Sequence, residues 1–166
     1  VNYAVSNAIV NVLNAYNLPD VLIKWPNDIL SSNKKICGIL VENVMQKEEI
    51  KSSIIGIGLN VNQVNFPTNF NATSILKEIN REVNVNELLV KLIDELKVQV
   101  SYITNSATNV LKKNYLNFLH KMNTPTMFKN NKGGLFMGKI VGVSPQGKLQ
   151  IELDDESIQE FEIKEV

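Results

Sequence analysis

The chain has 166 residues, 17 basic and 17 acidic side chains and no formal net charge; 44% of its residues are hydrophobic and 20% are charged. This is the composition of a globular protein, long enough for one domain or a domain with a small appendix. The balanced charge excludes a general nucleic-acid binder, which needs a basic surplus against phosphates, and no apolar run approaches the roughly 20 residues of a membrane span. Cys37 is the only cysteine, so no internal disulfide can form, and a cytoplasmic setting is expected. The chain starts at Val1 without a basic leader ahead of an apolar core, so no signal peptide is expected. Arg81 is the only arginine, whereas asparagine occurs 23 times, so an isolated Asn carries little weight in any motif.

Residues 3–16 predict a helix, with Val5, Ile9, Val12, Leu13 and Tyr16 on one stripe. Val21 to Trp25 reads as a short strand closed by Pro26, and Asn27-Asp28 and Ser31-Ser32-Asn33 as turns. Strands follow at Ile36 to Met45 and Ser53 to Val61, with Glu48-Glu49 near the hairpin turn between them. Thr73 or Ser74 caps a short helix ending at Asn80. Asn84 or Asn86 caps a longer one with Leu88, Leu89, Leu92, Ile93, Leu96 and Val100 as its apolar stripe. Helix resumes from Leu111 to Leu119. From Pro125 onward the pattern changes to four short strands separated by Lys132-Gly133-Gly134, Pro145-Gln146-Gly147 and Asp154-Asp155. The expected architecture is α+β: a sheet covered by helices in residues 1–122, then a small β-barrel in residues 123–166.

Chemistry concentrates between Lys24 and Asn62. Gly38, Gly56 and Gly58 lie inside apolar strands, where glycine often marks close approach of a ligand or of another backbone. Gly56, Gly58, Asn60 and Asn62 share strand parity and should face one side. That would make a bare floor for a flat ligand, or a site of tight strand–helix packing. Lys24-Trp25-Pro26-Asn27-Asp28 holds a cation, an amide and a carboxylate within five residues. Lys24 suits a phosphate and Asp28 a metal or a ribose hydroxyl, although Asn and Asp are also ordinary turn formers. A lysine from Lys34-Lys35 at the mouth of the Gly38 strand would place its ammonium over a bound anion, or form part of a solvated hairpin.

Together, Lys24-Trp25-Pro26-Asn27-Asp28, Lys35-Ile36-Cys37-Gly38-Ile39-Leu40-Val41-Glu42 and Gly56-Ile57-Gly58-Leu59-Asn60-Val61-Asn62 resemble, in order, spacing and identity, the catalytic domain of biotin protein ligases. The C-terminal meander resembles that family's SH3-like domain. The resemblance implies a mixed sheet of the class II synthetase and biotin–lipoate ligase type. It also implies a two-step reaction: ATP and biotin give biotinyl-5′-adenylate and pyrophosphate with Mg²⁺, and a lysine of a biotin carboxyl carrier domain then takes the biotinyl group. On this resemblance Lys35 meets the biotin carboxylate and the phosphoryl oxygens, and Gly38, Ile39, Gly56 and Ile57 line the biotin pocket. Lys24, Asn27, Asp28 and Asn60 lie near the nucleotide, with Asp28 also toward the metal. Cys37 is expected as a buried filler.

The family's Gly- and Arg-rich loop, which folds over biotin and the adenylate, has no counterpart in these residues, so the chain is expected to be a truncated form. A homodimer by strand pairing, and contact with nucleic acid only through a further N-terminal domain, are what the resemblance implies for partners. A non-catalytic interaction module and a lipoate-ligase relative are the competing readings.

Overall fold

The first helix forms where the apolar residues recur. α1 spans Asn2–Ala15 and buries Val5, Ile9, Val12 and Leu13. The computed structural model describes residues 1–47 and 49–166. Of the expected hairpin turn, Glu48 lies outside the described residues. The chain divides into two units, Val1–Phe118 and Leu119–Val166.

In the first unit, four strands follow α1: β1 (Leu22–Lys24), β2 (Asp28–Ser31), β3 (Lys34–Gln46) and β4 (Glu49–Leu59). They form one sheet in the order β1-β2-β3-β4, and every adjacent pair is antiparallel. This corrects two expectations. The four strands pair antiparallel where a mixed sheet was expected, and among the described residues of this unit the parallel pairing is limited to an isolated bridge between Lys35 and Ala72. Asp28 and Ser31, read as turn residues, are the ends of a strand of only four residues. Its apolar signal is limited to Ile29 and Leu30, too short to outweigh Asn27-Asp28 and Ser31-Ser32 on either side.

Cross-strand partners set the two faces of this sheet. Ile23, Ile29, Cys37 and Leu59 form one row across the four strands. The first three are fully or almost fully buried on the side where α1 packs against β1, β2 and β3. Lys24, Asp28, Gly38 and Gly58 form the adjacent row, on the other face. There the next pair is Leu40 and Gly56, and Leu40 and Ile54 are 60% and 64% exposed. The first unit therefore has one face closed by helix and one open.

Three helices complete the unit. α2 (Ile75–Ile79) is capped by Ser74, whose hydroxyl accepts from the Lys77 amide. α3 (Val85–Thr104) is capped by Asn84, which accepts from the Asn86 and Glu87 amides. α4 (Thr108–Asn117) packs with α3 against α1. The stripe expected on α3 is only half right. Leu88 and Leu92 are buried, but Leu89, Ile93 and Val100 are exposed, because only the face toward α1 and α4 is covered. The second unit is a four-stranded antiparallel meander of β5 (Pro125–Lys129), β6 (Leu135–Val143), β7 (Leu149–Leu153) and β8 (Ile158–Phe161). Its inner face carries Ile140, Leu149 and Ile151 and a ladder of stacked rings, Phe128, Phe136 and Phe161.

Candidate functional site

The open face of the first sheet gathers the predicted cation and the predicted glycines. Strict alternation from Gly38 back along β3 would turn Lys35 toward the helices. A β-bulge prevents this: Ile29 pairs with Cys37 and Leu30 with Lys35, so Ile36 is the extra residue. A bulge re-aims the side chains beside it, and here Lys35 comes onto the Gly38 face while Ile36 is fully buried. The backbone of Lys35 is held on both sides. Its N–H donates to the Asn71 carbonyl at 2.9 Å and its carbonyl accepts from the Thr73 N–H at 2.9 Å.

From this anchored backbone the Lys35 side chain reaches Asp28, with Nζ 2.5 Å from Oδ1. The pair is 47% and 24% exposed, so solvent screens it and its net worth is under about 1 kcal/mol. A cation held this lightly can exchange its carboxylate partner for an incoming anion. Lys24 stands directly across from Asp28 on the edge strand and is exposed. The row thus carries one lysine, one carboxylate and two glycines, with the Lys35 ammonium brought beside it from further along β3 and Gly56 at the next pair along β4. Chemically this is a side-chain-poor surface with a positive rim.

Other predicted residues are placed differently. Asn27 donates its Nδ2–H to the Ile39 carbonyl at 2.9 Å, and its own carbonyl accepts from the Ile39 N–H at 2.8 Å. Its amide therefore braces β3. Ile39 is buried on the helix side, with both backbone groups taken by Asn27, and Ile57, its cross-strand partner, shares that face. Their side chains belong to the underside of the floor, because strand alternation puts them opposite Gly38, Gly56 and Gly58. Asn60 lies beyond the end of β4, where its Nδ2 donates to the Thr73 carbonyl at 3.0 Å. It ties down the same segment that brackets Lys35. Asn62 closes on Val83, donating to its carbonyl at 2.8 Å and accepting from its N–H at 3.0 Å.

Of the 71–73 segment that fixes Lys35, the sequence marks only Thr73, as a candidate helix cap. Nothing in its composition marks the tie to Lys35, because its contribution is two backbone hydrogen bonds. Cys37 lies 1% exposed beneath the floor, and burial pushes its thiol up to about 12, which makes it the inert filler expected.

Mg²⁺ in nucleotide sites is held by one or two carboxylates together with substrate phosphates, and Asp28 is the carboxylate the site offers. Among the described residues no three His, Cys, Asp or Glu side chains come together as a metal cluster. Asp28 is a single carboxylate already matched by Lys35. Among the described residues, no helix is long and apolar enough to cross a membrane.

Comparison with known proteins bears on family and fold. Residues 1–60 match the family model for the biotin/lipoate A/B protein ligase family. The bifunctional ligase/repressor BirA of Bacillus subtilis is 32% identical over 139 residues, covering 80% of this chain and 42% of the relative. Biotin--protein ligase 1, chloroplastic, of Arabidopsis thaliana is 37% identical over 87 residues, 51% of this chain and 23% of the relative. The solved biotin protein ligase of Aquifex aeolicus in complex with biotin and ATP superposes with a TM-score of 0.77 at 23% identity, over 99% of this chain and 68% of that one. At that identity the likeness is one of fold. The chain spans about two-fifths of the length of the first of these curated relatives.

Proposed function

We infer that this chain, which carries part of a biotin protein ligase catalytic domain, supplies the sheet floor and the cationic group for ATP-dependent activation of biotin. In that reaction a biotin carboxylate oxygen attacks the α-phosphorus of ATP and pyrophosphate leaves, giving the acyl-phosphate anhydride biotinyl-5′-adenylate. The ε-amine of an acceptor lysine then attacks the acyl carbon, an amide forms and AMP leaves. The first step brings two anions together and concentrates negative charge on the α-phosphoryl oxygens. A preorganised cation is the direct remedy.

The observation that carries the reading is the placement of the Lys35 ammonium on the open face beside Gly38 and Asp28. An arriving phosphoryl oxygen takes over from Asp28 as the partner of Lys35. Gly56 and Gly58 let a bicyclic ligand lie against the strands, with Gly38 beside them under the Lys35 ammonium, and Lys24 adds positive charge at the rim. Asn27 and Asn60 act as braces of β3 and of the 71–73 segment. Asp28 would hold Mg²⁺ only together with the ATP phosphates, the usual way this ion is bound, and the roles of the other residues do not depend on it. With this reading go a carrier domain as the acceptor partner, a homodimer by strand pairing, a cytoplasmic setting, and the assignment of the meander to an SH3-like C-terminal domain.

A titration of biotinyl-5′-adenylate into the ¹⁵N-labelled chain, followed by NMR, tests the reading even at weak affinity. Shifts are expected to centre on Asp28, Lys35, Gly38 and Gly56 to Gly58, and to shrink in Lys35→Ala. Shifts confined to other parts of the chain, or unchanged affinity in Lys35→Ala, would contradict it.

A further inference from the structure

We propose that Gly38 is a positioning residue: the space left by its missing side chain is where the Lys35 ammonium lies, and it acts on the reaction through Lys35. This rests on the reading of Lys35 as the group that meets the phosphoryl charge. A Cβ at Gly38 would lie 3.2 Å from Lys35 Nζ, 3.3 Å from Lys35 Cε and 3.8 Å from Asp28 Oδ1. The first two separations are tighter than ordinary van der Waals contact, so one partner must give. The backbone of Lys35 is bonded to Asn71 and Thr73 and cannot retreat. What gives is the half-exposed end of the lysine, at little cost to folding but at the expense of its position.

The other two floor glycines are unlike Gly38. At Gly58 the nearest neighbour of a Cβ is the Gly38 carbonyl oxygen at 3.8 Å, and at Gly56 it is Leu40 Cβ at 3.6 Å. Both are ordinary contacts, and neither involves Lys35. Gly38 is also not among the glycines at positive φ, which are Gly133 and Gly147. Its backbone would accept any residue, so space explains the glycine and conformation does not. Gly56 and Gly58 clear the floor for the ligand, whereas Gly38 clears the seat of the cation. A Cβ at Gly38 asks the ammonium to give by a few tenths of an ångström, a fraction of the roughly 1 Å displacement that can cost on the order of a hundredfold in rate.

The test has two arms on the 166-residue chain. In the first, NMR follows the Lys35 ε-methylene and ammonium signals in the ligand-free protein. Gly38→Ala is expected to shift and mobilise them, while Gly56→Ala and Gly58→Ala leave them in place. In the second, the affinity for biotinyl-5′-adenylate is measured for wild type, Gly38→Ala, Lys35→Ala and the double variant. Gly38→Ala should weaken binding roughly tenfold, and the double variant should be no weaker than Lys35→Ala alone, the non-additivity of residues acting as a unit. For Gly58→Ala the loss should instead multiply with that of Lys35→Ala. Unmoved Lys35 signals in Gly38→Ala, or multiplicative losses for Gly38 and Lys35, would overturn the proposal. If Lys35→Ala binds as wild type, the ligase reading of Lys35 fails separately, and the spectra of the first arm still decide whether Gly38 seats the ammonium.

Discussion

Lys35 and Cys37 sit two positions apart on β3 and meet opposite environments. The lysine reaches an open, polar face and pairs with Asp28, whereas the thiol is sealed between the sheet and α1. Burial raises the Cys37 thiol from its ordinary 9.0 to about 12, and burial likewise pushes the Tyr115 hydroxyl above its ordinary range. Both groups keep their protons in the folded protein at a pH where the unfolded chain has released them. The unfolded state then binds fewer protons, so stability falls as pH rises, beginning near 9 for the thiol and ending near 12. Each group contributes a slope of at most about 1.4 kcal/mol per pH unit. Thermal melts of Cys37→Ala between pH 8 and about 11 are expected to show a shallower alkaline loss than wild type; identical slopes would contradict the assignment. At this scale the sequence made legible a lysine at the mouth of the Gly38 strand and the burial of Cys37. It did not show that Asn27 and Asn60 brace backbone segments, because an amide that reaches a ligand and an amide that ties two backbone segments have the same local sequence. Only the partners Ile39 and Thr73 tell them apart.

Among the elements, those with a strong period were readable and those defined by pairing were not. α1 and the capped starts of α2 and α3 follow from apolar spacing and from Ser74 and Asn84. β2 and the bulge at Ile36 depend on which strand lies alongside, which four residues do not encode locally. The bulge matters most for the site, since it alone turns Lys35 to the side of Gly38. The link from β4 to α3 has a comparable hidden tie, the two-bond clamp of Asn62 on Val83. Asn62→Ala leaves a backbone N–H and carbonyl without that partner and is expected to lower stability by about 1–3 kcal/mol. Asn65→Ala, at an exposed loop position, should stay within about 0.5 kcal/mol. Urea midpoints at constant m-value measure both. Equal midpoints for the two variants would remove the clamp from the account.

For the whole chain, the division of labour between faces is the main consequence of the fold. One face of the first sheet carries the core against α1 and so tolerates little change. The other is open, lacks side chains at Gly38, Gly56 and Gly58, carries exposed Leu40 and Ile54, and is bordered by Lys24, Asp28 and Lys35. That division explains why the three motifs lie so close in sequence: β1, β2, β3 and β4 are consecutive neighbours, so one row of cross-strand partners collects a residue from each. Under the proposed function, the Lys35 ammonium offsets charge on the α-phosphoryl oxygens during biotin activation. Biotin-dependent exchange of labelled pyrophosphate into ATP, compared between the intact ligase carrying this sequence and its Lys35→Ala variant, measures that step alone. Exchange should fall by about 10²- to 10³-fold, the scale of losing one preorganised group at a developing oxyanion. Exchange at the wild-type rate in Lys35→Ala would contradict the account.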